Sequence, residues 1–295
     1  MSVSYPPILD ELARGAPRAL TPVGGGCIAA AAIASFADGS SVFVKRAAGV
    51  GGLFECEAEG LRALASAGVI RVPEVLAVST DALVLERIHP GRKGPGFAAY
   101  FGRRFAALHR QRGKACGFAH DNFIGATPQP NRPLAGPWEE VSAEDGSSWP
   151  QFFLQRRLRY QVRLAAKRPP GGTLGTLLDR AEPRFRELLS ASIEPPALLH
   201  GDLWSGNYLV DEHGRPCLID PAVYYGHREA DLAMTRLFGG FDADFYAAYE
   251  EAWPLARGAA ERLPVYQLYH LLNHFNLFGG SYYEQSRRIL ERYAK

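Results

Sequence analysis

The stretch from residue 198 to residue 220 reads LLHGDLWSGNYLVDEHGRPCLID and contains the most informative residue spacing in the chain. Within it, Asp202 is followed five residues later by Asn207, and Asp220 comes thirteen residues after that. At this spacing one carboxylate can accept a proton from an attacking hydroxyl group, while an amide oxygen and a second carboxylate can bind Mg²⁺. The stretch therefore predicts phosphoryl transfer, with Asp202 as the catalytic base and Asn207 and Asp220 as metal ligands.

Two short apolar runs inside this stretch predict a β-hairpin. Residues 208 to 210 and residues 216 to 219 are mostly apolar, and the turn-forming tetrapeptide Asp-Glu-His-Gly lies between them. Such a hairpin would hold Asn207 and Asp220 at neighbouring strand ends, close enough to share a metal ion.

The composition is that of an ordinary globular protein. Of 295 residues, 47% are hydrophobic and 22% are charged, and 33 basic against 31 acidic residues give a net charge of +2. So small a net charge gives no reason to expect binding to nucleic acid or to an acidic membrane. The N-terminus shows no basic-then-apolar leader, and no apolar stretch approaches the roughly 20 residues that span a bilayer. We therefore expect a cytoplasmic protein without nucleic-acid or membrane partners.

The cysteines do not predict a metal centre or a disulfide framework. All four are scattered, and no two form a C-x-x-C pair. We expect three of them to be small core residues, namely Cys56, Cys116 and Cys217.

The N-terminal part predicts a phosphate-binding turn and a strand that ends in a lysine. Three consecutive glycines open it: Gly24, Gly25 and Gly26. Alternating small and apolar residues, a turn at residues 38 and 39, and the run Val-Phe-Val-Lys predict a hairpin and a third strand ending at Lys45. Glycine lets backbone amides approach ATP phosphates closely, although glycine-rich turns are common and no Gly-Lys-Ser/Thr follows.

The helix predicted over residues 53 to 67 carries a carboxylate on its apolar face. At about 100° per residue, Glu57 lies on the same side as the leucines at 53, 61 and 64. An unpaired charge there would be costly, and Lys45 is its natural partner. A lysine held in this way is aimed at the α- and β-phosphates of ATP. The alternative is that Glu57 lies at the edge of the apolar face and is solvated.

Two more strand-like runs, at residues 72 to 78 and 82 to 86, complete a five-stranded antiparallel sheet with one helix. The backbone of Glu86, Arg87 and Ile88 follows, where an adenine edge would be bound. Residues 89 to 96 form the strongest Pro/Gly break in the chain. We therefore predict an α+β, bilobal protein, with a small ATP-binding lobe over residues 1–88 and a larger, mainly helical catalytic and substrate lobe over residues 89–295.

Three features of the larger lobe have structural interpretations. His109 lies near the end of an amphipathic helix and is expected to be a packing or capping histidine. Asp231 falls in the first turn of a helix, where the helix dipole favours a carboxylate, and is expected to brace the catalytic loop. The aromatic residues between positions 266 and 278 are interpreted as packed core.

These motifs resemble those of the fructosamine kinase (ketosamine 3-kinase) family, a branch of the protein-kinase-like and aminoglycoside-phosphotransferase-like fold. The similarity covers nearly the whole chain, from Gly24 to Tyr293. It is most specific in four segments: HGDLWSGN at 200 to 207, DNFIGATPQPN at 121 to 131, DPAVYYGHREADLAM at 220 to 234 and YHLLNHFNLFGGSY at 269 to 282.

The resemblance implies phosphorylation of the C3 hydroxyl of a ketosamine with ATP and Mg²⁺. The substrate would be a ribulosamine or fructosamine adduct, either a small molecule or a glycated protein lysine, and the 3-phosphate would decompose and free the amine. By position, Asp202 is similar to the family's catalytic base, and residues 86 to 88 are similar to its adenine-binding hinge. The Mg²⁺ ligands and the phosphate-orienting pair of the family correspond to Asn207, Asp220, Lys45 and Glu57.

The sequence departs from the family pattern in two places. The segment from 131 to 149 is longer than usual and is expected near the substrate entrance, and Ala29 and Ala30 replace more polar residues after the glycine loop. Cys27 lies in that loop, where some relatives carry a cysteine linked to redox-sensitive dimerisation. A redox-dependent homodimer through Cys27 is therefore a further hypothesis, beside that of an unreactive small residue.

Two other functions stay open. A kinase of the same fold could act on an aminoglycoside-like or other hydroxyl compound, and a nucleotide-binding pseudokinase would not act on any. A pseudokinase is expected to have lost at least one reacting residue, and the chain retains four: Lys45, Asp202, Asn207 and Asp220.

Overall fold

The structure is a computed structural model, which describes residues 5–12, 14–24, 29–47, 51–138, 140 and 149–294. The chain forms two compact units, each made of two segments. The first unit consists of Met1–Phe97 and Gly206–Ala222, and the second of Ala98–Ser205 and Val223–Lys295. The lobe boundary at residues 88 and 89 stays a prediction. The segment Gly206–Ala222, which contains the predicted metal ligands, belongs to the first unit.

The elements follow one another in the order of their numbers. The strands are β1 (Ala19–Val23), β2 (Ala30–Ser35), β3 (Ser41–Arg46), β4 (Val75–Val78), β5 (Ala82–Glu86), β6 (Asn122–Ile124), β7 (Thr127–Gln129), β8 (Ala197–Leu199), β9 (Tyr208–Val210), β10 (Pro216–Leu218) and β11 (Tyr224–Gly226). The α-helices are α1 (Leu53–Ser66), α2 (Phe97–His109), α3 (Trp149–Phe152), α4 (Tyr160–Ala165), α5 (Leu174–Ser190), α6 (Glu229–Leu237), α7 (Ala243–Ala252), α8 (Ala259–Phe278) and α9 (Tyr282–Tyr293). A π-helical segment, Phe153–Arg159, joins α3 to α4, and 3₁₀ helices lie at Pro7–Leu12 and Gly171–Thr173.

The first unit contains the five-stranded antiparallel sheet that the sequence predicts. Its strand order is β1-β2-β3-β5-β4, and α1 connects β3 to β4. The predicted turn between β2 and β3 is present, since the carboxylate of Asp38 accepts the N–H of Ser40 at 2.8 Å and Gly39 has φ of 83°. The prediction of an α+β fold whose small sheet is accompanied by one helix is therefore confirmed.

Alternating side chains of β3 supply apolar groups to both faces of this sheet. Val42 and Val44 belong to a core that includes the 3₁₀ helix Pro7–Leu12. Phe43 packs against the core that α1 forms on the other face. Lys45 shares the face of Phe43, because side chains two residues apart on a strand point the same way. Strand periodicity therefore brings the lysine to the helix.

The predicted hairpin is formed by β9 and β10, which pair antiparallel. Asp211 closes its turn, since Oδ1 accepts the backbone N–H of His213 at 3.0 Å and that of Arg215 at 2.9 Å. Gly214 has φ of 73°, a conformation that glycine adopts without steric cost. The tetrapeptide Asp-Glu-His-Gly is thus a turn, as predicted.

The second unit is mainly helical. Its helices α5, α6, α8 and α9 pack on one another, and its two small sheets pair β6 with β7 and β8 with β11. Tyr266 and Tyr269 of α8 are buried, which confirms a packed aromatic core for the middle of that helix. Among the described helices, none has an apolar stretch long enough to cross a membrane.

Two ion pairs fix the beginning of α6. The guanidinium of Arg228 binds Glu194 through Nε at 2.7 Å and Nη2 at 3.0 Å. Arg262 binds Glu229 through Nε at 2.7 Å and Nη2 at 2.6 Å. Both arginines are buried, and pairing each with a carboxylate in two-point contact offsets the cost of burying the charge. The first turn of α6 is therefore held rigidly.

The packing of α2 against α7 can be tested at Gly102. A β-carbon at Gly102 would lie 2.1 Å from the carbonyl oxygen of Phe245, well inside van der Waals contact. Gly102→Ala should therefore lower the free energy of unfolding by about 2 kcal/mol or more, although alanine is the better helix former. The measurement is thermal unfolding followed by circular dichroism.

The matched control is Gly175→Ala in α5. The nearest atom to a β-carbon there is Cγ1 of Val162, at 3.8 Å, which is an ordinary contact. This variant should be as stable as the wild type or slightly more stable, by about 0.5 kcal/mol. Equal stability of the Gly102 and Gly175 variants would contradict the close packing of α2.

Candidate active site

Lys45 is held between two carboxylates of the first unit. Its Nζ donates a hydrogen bond to Oε1 of Glu57 at 2.6 Å and another to Oδ1 of Asp220. The side chains of Lys45 and Glu57 are 13% and 14% exposed, whereas that of Asp220 is 45% exposed. The predicted strand-to-helix pair is therefore formed, and the alternative of a solvated Glu57 is wrong.

The ammonium group of Lys45 keeps its charge in this setting. Burial alone would lower the pKa of Lys45, but the attraction of Glu57 and Asp220 outweighs burial and raises it. Burial raises the pKa of Glu57, and the charge of Lys45 opposes this rise. At neutral pH the site thus presents a fixed positive charge beside an accessible carboxylate, which suits a phosphate and a cation bound next to each other.

Asn207 and Asp220 flank the paired part of the β9–β10 hairpin. The N–H of Ile219 donates to the carbonyl of Asn207 at 3.0 Å, so the two predicted ligands lie on neighbouring strand ends. Asp220 has φ of 53°, in the left-handed region that residues other than glycine rarely adopt. Backbone strain of this kind is concentrated at functional sites, where the surrounding structure maintains it.

The chemistry of these two residues fits a magnesium ion. A carboxylate and an amide oxygen are ligands that Mg²⁺ accepts, and it usually completes its shell with water and substrate phosphates. Within the described part of the chain, no group of three His, Cys, Asp or Glu side chains could hold a metal ion. A cation at this hairpin would therefore depend on Asn207, Asp220 and oxygens from a bound nucleotide.

The side chains of the predicted adenine-binding segment are already engaged by the protein. The carboxylate of Glu86 accepts Nη2–H of Arg71 at 2.6 Å and the N–H of Glu74 at 3.2 Å. Arg87 donates from Nη1 to Oγ of Ser41 at 3.1 Å, and Ile88 is buried. An adenine contact at residues 86 to 88, which stays a prediction, would therefore be made by the backbone.

Of the predicted glycine loop, Gly24 alone belongs to the described residues. It follows β1, and a β-carbon there would meet no atom within 4 Å. Gly25, Gly26 and Cys27 lie outside the described residues, as do residues 139 and 141–148 of the long segment before α3. The phosphate contacts of this loop stay a prediction.

The predicted catalytic base belongs to the second unit. Strand β8 leads directly into His200, Gly201 and Asp202, and Gly201 has φ of 82°. Glycine makes this sharp turn possible, and the N–H of Asp202 donates to Nδ1 of His200 at 3.3 Å. Asp202 is half-buried at the end of a short, fixed segment. Such a carboxylate suits general base catalysis, because its position is set before substrate binds.

Asp231 braces this turn, as the sequence predicts. Its Oδ2 accepts the N–H of His200 at 2.7 Å, and its Oδ1 accepts the N–H of Gly201 at 2.8 Å. Burial alone would raise the pKa of Asp231, but the hydrogen bonds that its carboxylate accepts, that of His109 first among them, outweigh burial and lower it. The carboxylate is therefore ionised and uses both oxygens to fix the backbone before Asp202.

His109 completes the brace, and Tyr249 orients it. Nε2 of His109 lies 3.2 Å from Oδ2 of Asp231, and Nδ1 lies 2.7 Å from the hydroxyl of Tyr249. Burial lowers the pKa of His109, so the ring is neutral, Nε2–H donates to Asp231, and Nδ1 accepts from Tyr249. The prediction of a packing histidine is confirmed. The contact with Tyr249 was not predicted, because that tyrosine lies 140 residues from His109 in the chain.

A partly exposed aromatic cluster follows Asp202 in the second unit. The ring of Trp204, which is 38% exposed, lies 6.4 Å from that of Phe238, whose centroid is 4.7 Å from His274. Phe278 and Tyr282 lie 5.6 and 5.1 Å from the same histidine, and Phe278 is 52% exposed. The prediction of packed core is therefore wrong for the C-terminal end of α8. We call these five residues the aromatic cluster.

One unit contains a lysine on the sheet that is paired with a glutamate on a helix. The other contains a braced His-Gly-Asp turn among helices. These are the features of a phosphotransferase of the protein-kinase-like fold. The chain belongs to the fructosamine kinase family, whose family model, described as fructosamine kinase, matches residues 10–295. The resemblance seen in the motifs is therefore confirmed over nearly the whole chain.

Individual relatives agree with this assignment. A Synechocystis sp. protein named "probable ketoamine kinase" is 44% identical over 81% of this chain and 78% of its own. The chloroplastic protein-ribulosamine 3-kinase of Arabidopsis thaliana is 38% identical over 92% of this chain and 82% of its own. A solved structure from Thermobifida fusca, provisionally assigned as a fructosamine-3-kinase, is 32% identical with a TM-score of 0.81, covering 97% of this chain and 99% of that one.

Asp231→Asn tests the brace. The amide has one acceptor oxygen where the carboxylate has two, so an N–H of His200 or Gly201 loses its partner. We expect a loss of about 3 kcal/mol in unfolding free energy at neutral pH, measured by urea unfolding. Asp244→Asn, at an exposed position in the first turn of α7, is the matched control and should lose at most about 1 kcal/mol, the usual helix-dipole contribution of such a carboxylate.

The stability difference should also depend on pH. The folded-state pKa of Asp231 lies below its unfolded value of about 3.9, so the carboxylate's contribution is complete above that value and is lost as the pH falls through the folded pKa. The difference between wild type and Asp231→Asn should be constant between about pH 5 and pH 8 and should narrow toward about pH 3. A difference that widens in acid would contradict an ionised brace.

Proposed function

We propose that this protein transfers the γ-phosphoryl group of ATP to the C3 hydroxyl of a ketosamine, a deglycation step. The observation that carries the proposal is the buried Lys45–Glu57 pair in contact with Asp220, in a chain of the fructosamine kinase family. Relatives that carry the names ketoamine kinase and protein-ribulosamine 3-kinase support the choice of acceptor. The resulting 3-phosphate would then decompose and free the amine.

Each reacting group has one proposed role. Asp202 accepts the proton of the C3 hydroxyl while the oxygen forms its bond to the γ-phosphorus and the bond to ADP breaks. Lys45, oriented by Glu57, neutralises charge on the α- and β-phosphates. The backbone of residues 86 to 88 binds the adenine edge, and the amides of the loop at 24 to 26 approach the phosphates.

Asn207 and Asp220 would hold Mg²⁺. When bound, the ion supplies positive charge that neutralises the nucleotide phosphates. The contact between Asp220 and Lys45 supports this role, because it keeps the carboxylate close to the group that binds phosphate. The strained backbone at Asp220 supports it as well.

The aromatic cluster supports an acceptor of ketosamine type. Such a molecule has a polyol chain and, at neutral pH, a protonated amine. Aromatic faces pack well against the C–H groups of a polyol and attract an ammonium group. Trp204, two residues after Asp202, would place such a face beside the base. The exposed side of Phe278 leaves room for the part of the substrate that carries the amine, as in a glycated protein lysine.

Predictions about a second class of acceptor, about dimerisation and about location are not tested by the structure. A kinase that phosphorylates an aminoglycoside-like compound is the second candidate function, since the same nucleotide site would serve it. The redox-dependent homodimer through Cys27, which lies outside the described residues, and the cytoplasmic location also stay predictions. The retained set of reacting residues argues against a pseudokinase.

A panel of acceptors tests the proposal. The protein is incubated with ATP, Mg²⁺ and, in turn, ribulosyl-lysine, fructosyl-lysine, a glycated protein and several aminoglycosides, and phosphate incorporation is measured. We expect phosphate to enter one or both ketosamines and no aminoglycoside. The relative rates also decide between ribulosamine and fructosamine and between free and protein-bound adducts. Phosphorylation of an aminoglycoside alone would replace the proposal by the second candidate.

Asp202→Ala tests the assignment of the base in the same assay. Turnover should fall by about 10³-fold, because general base catalysis of this kind contributes about 10² to 10⁴. ATP binding, measured by isothermal titration calorimetry, should be nearly unchanged. Asp244→Ala at an exposed position is the control. An Asp202→Ala variant with turnover close to that of the wild type would show that another group is the base.

A further inference from the structure

Arg71 connects three carboxylates within the first unit. Its Nη2 donates to Oε1 of Glu86 at 2.6 Å, and its Nη1 donates to Oδ2 of Asp211 at 3.1 Å and to Oε1 of Glu212 at 2.9 Å. Glu86 is the last residue of β5, where the adenine-binding segment begins. The other two carboxylates belong to the turn of the β9–β10 hairpin. One guanidinium group thus links the adenine side of the site to the hairpin with the proposed Mg²⁺ ligands.

The main chain of Arg71 holds the same hairpin at a second point. Its carbonyl accepts the N–H of Leu218 at 2.8 Å, two residues before Asp220. The side chain therefore fixes the turn, and the main chain fixes the strand that leads to the ligand. Two points of attachment determine the direction of the hairpin, whereas a single point would let it pivot.

The linker that follows the adenine-binding segment packs on the same turn. The N–H of Gly91 donates to the carbonyl of Val210 at 2.9 Å. A β-carbon at Gly91 would lie 2.0 Å from the carbonyl oxygen of Asp211, so only glycine permits this approach. The turn is therefore in direct contact with the chain that leaves the adenine side, and a shift of the turn would displace that chain.

Strand β3 and the hairpin extend over equal lengths from the adenine side of the site toward the phosphate side. Val42 pairs with Glu86, and Lys45 lies three residues further along β3. In the hairpin, Asn207 lies three residues before Val210, the last residue of β9. At about 3.3 Å per residue, each span is about 10 Å. A nucleotide held at both ends therefore requires the hairpin and the sheet to keep a fixed register.

We propose that Arg71 is a positioning residue for the metal–nucleotide complex, whose guanidinium sets the Mg²⁺ ligands of the hairpin in register with the adenine-binding segment. The inference rests on the proposed function. Lysine cannot replace this arginine, because the planar fork of a guanidinium reaches several carboxylate oxygens at once and an ammonium group does not. Loss of the fork should weaken nucleotide binding more than it slows the reaction of bound substrates.

Calorimetric titration of the full chain with ADP and Mg²⁺, without acceptor, tests this inference. Arg71→Ala should weaken Mg²⁺–ADP binding by about tenfold, the lower end of the effect usual for groups that orient metal ligands. Arg71→Lys should restore only part of the affinity. In the kinase assay, the KM for ATP should rise while kcat changes little. Arg62→Ala, at an exposed position of α1, is the matched control and should bind like the wild type.

Glu212→Gln separates positioning from simple charge attraction. The substitution removes a negative charge, which by itself would favour an anionic nucleotide. An amide oxygen can still accept the hydrogen bond of Arg71, but the contact is weaker without the negative charge, so nucleotide binding should instead weaken, by about threefold for a pair this exposed. Tighter binding by Glu212→Gln would overturn the inference. So would an Arg71→Ala variant with a lowered Tm but with wild-type affinity and KM for ATP. Failure of the wild type to bind Mg²⁺–ADP would instead remove the proposed function on which the inference rests.

Discussion

Lys45 has to remain charged in a largely buried position, and Glu57 and Asp220 supply the negative charges that allow this. The arrangement links three elements of the first unit, because the lysine comes from the sheet, one carboxylate from α1 and the other from the end of the hairpin. Removing Lys45 would leave two carboxylates without a positive partner, and the charge of Glu57 would then be costly to bury. The constraint also makes chemical sense, since a fixed ammonium beside an accessible carboxylate is prepared for a phosphate and its cation.

The second unit uses the same principle with different groups. Asp202 is placed by the backbone of a short turn, and that backbone is held by the ionised carboxylate of Asp231. A neutral histidine, His109, completes the coordination of that carboxylate without adding a charge. In both units the residues proposed to react lie on short segments, and side chains distant in sequence fix those segments. Rigid placement of this kind is the main contribution a protein makes to phosphoryl transfer.

The features that the sequence predicted are those that local periodicity determines. Strand alternation and helix phase were enough to place Lys45 against Glu57, and the Asp-Glu-His-Gly turn was enough to predict the hairpin. The contacts that could not be predicted from the sequence join residues far apart in the chain. Arg71 and Asp211, for example, are 140 positions apart. The carboxylate of Glu86, predicted to lie in the adenine-binding segment, is engaged by Arg71. The exposed end of α8 was missed because an aromatic run has the same pattern whether or not it is fully covered.

Transfer of phosphate to the C3 hydroxyl is the step that defines the proposed function. Nuclear magnetic resonance of the products formed from ATP and the ketosamine that the protein phosphorylates, with ³¹P and ¹³C detection, identifies the carbon that carries the phosphate. We expect a single phosphate on the C3 oxygen and release of free amine as that phosphate ester disappears. A phosphate on another hydroxyl, or a stable product that keeps its amine, would contradict the proposed function.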